Sequence, residues 1–173
     1  VYINEANKTT LQQYTDITAR ADVVIIDYNP DGYFYGTDLI NDFNFINLTY
    51  LDNEYLSKNE IKILESSYGV IYKGYSNNMK AVYEECNVVV LPSYREGLPK
   101  SLIEACAIGR AIITTNVPGC RDVVVDNVNG LLVPLQMINP LVKAMIQMIE
   151  NREMRIKMGR EGRKIAEQEF NIE

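Results

Sequence analysis

Two glutamates frame the stretch of this chain whose residue types suggest chemistry. The segment reads Pro92-Ser93-Tyr94-Arg95-Glu96-Gly97-Leu98-Pro99-Lys100-Ser101-Leu102-Ile103-Glu104-Ala105, with seven residues between Glu96 and Glu104. A glycine such as Gly97 lets a ligand come close to the backbone. Free amides of a helix starting around Ser101 and Leu102, together with its dipole, would hold an anion such as phosphate. A glutamate in the first turn of that helix stays ionised and accepts two hydroxyls of a ribose or hexose. Each residue also has a plainer reading. Ser101-Leu102-Ile103-Glu104 is an S-x-x-E capping box, Glu96 beside Arg95 is a solvated charge pair, and Lys100 is a surface charge. Met145, Met148, Met154 and Met158 read as helix packing.

Composition narrows the chemistry. The chain has 173 residues, no His, three Cys, and 17 Lys plus Arg against 23 Asp plus Glu, a net charge of -6. Without His there is no Ser-His or Cys-His nucleophilic pair, no His-ligated zinc and no His general base in this chain. Cys86, Cys106 and Cys120 show no C-x-x-C spacing, so they read as reduced, mostly buried thiols of a cytosolic protein rather than a disulfide framework or a metal site. An acidic balance without a basic stripe makes nucleic acid a poor partner. No apolar run approaches the ~18 residues of a membrane span, so direct membrane insertion is not expected.

The elements that must position the two glutamates alternate between strand and helix. Asn87 to Leu91 and Ala111 to Thr115 are short Val/Ile-rich runs that read as buried parallel strands. Lys100 to Ile108 reads as a short buried helix between them, which makes a βαβ unit. Upstream, Ala21 to Asp27, Phe43 to Leu48 and Val70 to Lys73 read as strands. Leu11 to Ala19, a segment opened by Ser57-Lys58-Asn59-Glu60 and Asn77 to Glu85 read as helices. Downstream, Asn129-Gly130 turns into Leu131-Leu132-Val133. Two helices follow, one with Leu141, Val142, Met145, Ile146 and Ile149 on one face, the other running from about Arg152 to the final residue. The expected fold class is α/β, a doubly wound parallel sheet forming one domain over 1–173. Residues 1–41 are poorly assigned, with Tyr28 to Gly36 an aromatic, turn-rich loop. Such sheets bind ligands beyond the carboxyl ends of their strands, where the Glu96 loop lies.

The run from Pro92 to Pro134, PSYREGLPKSLIEACAIGRAIITTNVPGCRDVVVDNVNGLLVP, resembles the C-terminal, donor-binding domain of retaining glycosyltransferases of the two-Rossmann-domain (GT-B) class. It is similar to the bacterial group 1, or family 4, sugar transferases that build capsule, lipopolysaccharide and lipid-linked oligosaccharides. The resemblance rests on the E-x7-E pair, the GLPKS turn, the alanine-rich helix, the Pro118-Gly119-Cys120-Arg121-Asp122 turn, the NG-LLVP run of Asn129 to Pro134, and the closing pattern from Met158-Gly159-Arg160 to Phe170. It covers residues 66–173 well, 42–65 fairly, and 1–41 not at all.

What the resemblance implies is a nucleotide-sugar site. It places Glu104 on the ribose hydroxyls and Glu96 beside the transferred sugar. The turn Gly97, Leu98, Pro99, Lys100, Ser101 and Leu102 falls on sugar and diphosphate, and Tyr75, with Ser76, on the base. UDP is the preferred nucleotide. No cofactor or metal is implied. The acceptor, a glycan or a lipid-linked saccharide, would be bound by an N-terminal domain that 173 residues cannot hold as well, so the chain reads as the donor half of a cytoplasmic enzyme peripheral to the inner membrane face. Front-face transfer, in which the leaving diphosphate takes the acceptor's proton, is the implied mechanism, in preference to a covalent adduct on Glu96. The sequence departs from the pattern in one respect: the Gly-Arg and Lys-Gly pair that clamps the diphosphate is not found, since Arg20 precedes a strand and Lys8 has no glycine partner. That departure keeps open a nucleotide-sugar-binding module without catalysis. A dinucleotide oxidoreductase shares the fold class but requires a G-x-G-x-x-G that is not present, and there is no G-x4-G-K-[ST] loop.

Overall fold

The computed structural model describes residues 76–170 continuously, strands at 23–25, 46–48 and 71–72, and helical positions at Asn59, Lys62 and Ser66. In chain order the elements are β1 (Val23–Ile25), β2 (Ile46–Leu48), β3 (Ile71–Tyr72), α1 (Met79–Glu84), β4 (Val88–Leu91), α2 (Lys100–Ala107), β5 (Ala111–Thr115), α3 (Pro118–Arg121), β6 (Gly130–Val133), α4 (Ile138–Glu150) and α5 (Arg152–Glu169). The six strands form one sheet in the order β3-β2-β1-β4-β5-β6, and every pairing is parallel. The chain therefore winds outward from β1 to β3, then returns to lay β4 against the other side of β1. That reversal is the topological switch point at which doubly wound sheets bind their ligands.

The apolar runs behave as strands covered on both faces. All four residues of β4 and all five of β5 are buried, because helices shield both sides of a parallel sheet. Fully burying one Val or Ile contributes about 1.5–3 kcal/mol, so this centre holds its register firmly. Val89 sits opposite Ile112 and Leu91 opposite Thr114. The core spreads to Tyr83, Leu102, Cys106, Val123 and Ala166. Cys86, Cys106 and Cys120 are free and buried, as the sequence implied; burial pushes the Cys106 thiol up to about 11, which keeps it protonated at neutral pH.

Helix α5 comes back across α2. A side chain on Gly159 would stand 2.0 Å from the carbonyl oxygen of Gly109, so the crossing requires glycine at 159, while Gly109 is favoured by its own backbone at φ +72. Arg163 donates to the Ala107 carbonyl and, at 2.6 Å, to Glu167, tying α5 to the end of α2. Arg110 donates to the carbonyls of Tyr83 at 2.7 Å and Glu84 at 3.1 Å, which joins α1 to the start of β5.

Several expectations are sharpened or corrected. The final helix ends at Glu169 with Phe170 as its C-cap, short of the last residue. The buried face of α4 is Leu141, Ala144, Met145, Met148 and Ile149; Val142 and Ile146 are only half-buried, because the face turned to the sheet is centred one position away from the expected one. Pro118 to Arg121 is a short helix rather than a turn, with the proline at its first position where no amide is needed. The expected helix at Leu11 to Ala19, the loop at Tyr28 to Gly36 and the Ser57 capping box lie outside the described residues.

Candidate functional site

The Glu96 loop leaves β4 at the switch-point side of the sheet and is held from β5. The Thr114 hydroxyl donates to the Leu91 carbonyl at 2.7 Å, and the Thr115 hydroxyl donates to the Ser93 carbonyl. Both threonines are buried on β5, so the strand that looks like plain core also fixes where the loop starts. The Ser93 hydroxyl then donates to the Arg95 carbonyl at 3.3 Å, turning the chain toward Glu96.

The loop is wedged from its other side by α3. A Cβ on Gly119 would lie 2.2 Å from the Gly97 carbonyl oxygen and 2.5 Å from that of Glu96. The first turn of α3 therefore rests directly on the Glu96–Gly97 peptide, and only glycine permits the approach. Gly119→Ala is expected to push this peptide outward and, because the added methyl meets backbone rather than a flexible side chain, to destabilise the domain by about 1–3 kcal/mol. Thermal unfolding of the variant checks this; an unchanged Tm would show that the approach is not tight.

Glu96 is half-buried, and among the described residues it forms no ion pair with Arg95. Burial raises its carboxyl above the usual carboxylate range, against a smaller opposing effect of the Ser93 hydrogen bond. The reading of Glu96 as a solvated partner of Arg95 does not fit this environment. The buried Cys120 thiol is also raised, first by burial, against the opposing hydrogen bond of Thr114 and with a smaller addition from the Glu96 carboxylate.

The helix start differs from the capping-box reading. Helix α2 begins at Lys100 with Pro99 as N-cap and no side-chain cap hydrogen bond. Glu104 is thus the fifth helical residue and lies in the second turn, not the first. The Leu102 amide is not free either, because it donates to the Pro99 carbonyl at 3.1 Å. The amides with no intrahelical carbonyl to reach are those of Lys100 and Ser101, and an anion could be held at this end of α2. Gly97 and Leu98 are exposed beside it, whereas Pro99 is buried.

Glu104 is held on both oxygens. The Tyr83 hydroxyl, from α1, donates to Oε2 at 3.2 Å. The Lys100 ammonium lies 3.7 Å from Oε1, with the Lys100 side chain 87% exposed and that of Glu104 35% exposed. Exposed pairs at this spacing contribute little to stability, so Lys100 is free to exchange partners. Sequence reasoning missed Tyr83, Thr114, Thr115 and the wedging role of Gly119. Tyr83 lies 21 positions before its partner, in the Asn77 to Glu85 segment that reads only as a helix, and no local spacing signals such a contact. Tyr75 lies outside the described residues. Ser76 is half-buried, and its hydroxyl accepts from the Asn78 amide at 3.2 Å at the start of α1.

Among the described residues no helix is long and apolar enough to cross a membrane. No group of acidic residues and cysteines is placed there to hold a metal ion.

Comparison with known proteins follows the same lines. The family model described as glycosyl transferases group 1 matches residues 40–165. The chain is 28% identical over 95 residues to N,N'-diacetylbacillosaminyl-diphospho-undecaprenol alpha-1,3-N-acetylgalactosaminyltransferase of Campylobacter jejuni, covering 55% of this chain and 25% of that protein. It superposes on HepE of Anabaena, solved in complex with UDP, with a TM-score of 0.75 at 18% identity, covering 98% of this chain and 50% of that one. The C-terminal domain of the group 1 glycosyl transferase LpcC of Francisella tularensis matches with a TM-score of 0.68 at 21% identity, covering 99% of this chain and 96% of that domain. The chain thus spans a quarter of its Campylobacter relative, half of the HepE chain and almost all of a domain solved alone. The expected Rossmann-like half of a GT-B architecture is the fold observed.

Proposed function

Because this chain belongs to the glycosyl transferases group 1 family, we propose that it is the donor-binding half of a retaining glycosyltransferase that takes a sugar from a nucleotide diphosphate sugar, UDP-sugar preferred. The acceptor is a glycan or lipid-linked saccharide of surface polysaccharide synthesis, bound by a separate N-terminal domain. The observation that supports this best is the pairing, at the carboxyl edge of the sheet beside the switch point, of a wedged Glu96 loop with a helix start bearing free amides and a doubly held Glu104. The diphosphate sits on the Lys100 and Ser101 amides. Glu104 accepts the ribose hydroxyls, and Gly97 and Leu98 face the sugar. The Campylobacter relative, whose name gives an undecaprenol-linked diphosphate saccharide as acceptor, and the UDP-bound neighbour are consistent with this donor and acceptor.

In this mechanism the protein supplies positions and charge. Glu96 orients the transferred sugar and steadies the positive charge that develops at its anomeric carbon. The leaving diphosphate, held at the start of α2, takes the acceptor's proton on the same face. No histidine is needed for such a step.

One observation favours a second reading, a donor-binding module without turnover. No Lys or Arg occurs between Arg20 and Lys58, so the stretch from β1 to Lys58 supplies no cation for the leaving diphosphate, and Lys100 is left as the cation beside it. The test is transfer by the full-length protein from UDP-sugars to an undecaprenyl-diphosphate saccharide, with the anomeric configuration of the product read by NMR. An α-linked product from an α-linked donor is expected; saturable donor binding with no transfer would establish the binding module instead.

A further inference from the structure

We infer that Tyr83 is a positioning residue that makes this site selective for ribonucleotides over 2′-deoxyribonucleotides, acting through Glu104. The inference rests on the reading of Glu104 as the ribose ligand and adds to it what holds that ligand in place.

Tyr83 is 1% exposed and anchored at both ends. Its carbonyl accepts from Arg110 at 2.7 Å and from the Cys86 thiol at 3.4 Å, while its hydroxyl reaches Glu104 Oε2 at 3.2 Å. A phenol fixed by the core in this way sets the plane of the carboxylate it touches. Burial and the neighbouring Glu104 carboxylate both raise the phenol well above its ordinary value, so it remains a proton donor at any physiological pH.

The two oxygens of Glu104 are therefore unequal. Oε2 is held by a rigid, buried donor, whereas Oε1 faces the exposed Lys100 across 3.7 Å. Lys100 stands at the first position of α2, beside the amides proposed to take the diphosphate. An arriving nucleotide draws the ammonium toward its phosphates and leaves Oε1 to the ribose hydroxyls. With Oε2 fixed, the carboxylate cannot rotate away from the vacated side. Without the Tyr83 hydroxyl, Glu104 loses its fixed orientation and a ribose gains less from it.

The test is titration of UDP and 2′-deoxy-UDP into the wild-type chain, Tyr83→Phe and Tyr83→Met. A wild-type preference for UDP of roughly tenfold is expected, the scale of one hydrogen bond to a charged group. Both variants should reduce that preference to within about threefold and weaken 2′-deoxy-UDP, which keeps its 3′-hydroxyl bond to Glu104, by less than UDP; saturable binding of both nucleotides shows that the fold is retained. The two variants fill the space differently, so the outcome does not hang on one of them folding. A wild-type chain that binds UDP without preferring it would overturn the ribose reading of Glu104 and this inference together. A wild-type preference retained in full by both variants would overturn the role of Tyr83 alone. In a Glu104→Ala background Tyr83→Phe should have no further effect on UDP affinity; an added loss there would mean that Tyr83 acts by packing, contrary to the inference.

Discussion

Glu104→Ala is expected to weaken UDP binding by about 100-fold, because two hydrogen bonds from ribose hydroxyls to a charged acceptor are lost together. The same substitution leaves the buried Tyr83 hydroxyl without its acceptor, so the fold should also lose about 1–3 kcal/mol. For a domain of this size that corresponds to a fall of roughly 2–4 °C in Tm per kcal/mol. Glu104→Gln separates the two effects: its amide oxygen still accepts from Tyr83, so stability returns, while the charge on which ribose binding depends does not. Titration calorimetry and thermal unfolding of the three proteins check this. Undiminished UDP affinity in Glu104→Ala would remove Glu104 from the site.

Glu96→Ala is expected to act on rate rather than affinity. The account gives Glu96 charge that is needed in the transition state, so transfer should fall by about 100- to 1000-fold with the donor Kd within about threefold of the wild-type value. Burial holds the Glu96 carboxyl above the ordinary carboxylate range. Since the ionised form is the active one, transfer should be lost as pH falls through that raised value, earlier on acidification than for an exposed glutamate. The Ser93 hydroxyl, whose one proton is shared between the Arg95 carbonyl and the Glu96 carboxylate, works in the opposite direction, so Ser93→Ala should shift the acid limb to still higher pH. A pH profile of kcat by the full-length protein measures both. An acid limb in the ordinary carboxylate range, or a Glu96→Ala protein losing affinity and rate equally, would contradict this role.

Much of the fold was legible because buried parallel strands are short and apolar. Ala111 to Thr115 was read with the bounds observed, and Val88–Leu91 and Lys100–Ala107 to within a residue. Three strands upstream were read as longer segments that contain β1, β2 and β3. Helix starts were harder: an S-x-x-E pattern at Ser101 suggested a cap, yet Pro99 occupies that position and Ser101 lies inside the helix. Local patterns state what a side chain could do at an N-cap, not where tertiary packing puts the first turn. The loop with Glu96 and Glu104 was legible from an ordered series of motifs. The groups that hold it were not, because each acts at a distance along the chain. Tyr83 meets Glu104 from another helix, Thr115 reaches Ser93 from the neighbouring strand, and Gly119 supports Glu96 from beyond β5. A buried threonine at the end of a strand and a glycine after a proline look the same in sequence whether they support a site or only the core.

Whether the crevice around Glu96 and Glu104 is a nucleotide-sugar donor site is decided by calorimetric titration of the folded chain with UDP, with GDP alongside. Saturable uptake of one UDP per chain and weaker uptake of GDP are expected. A folded chain that takes up neither nucleotide at millimolar concentration would contradict that assignment.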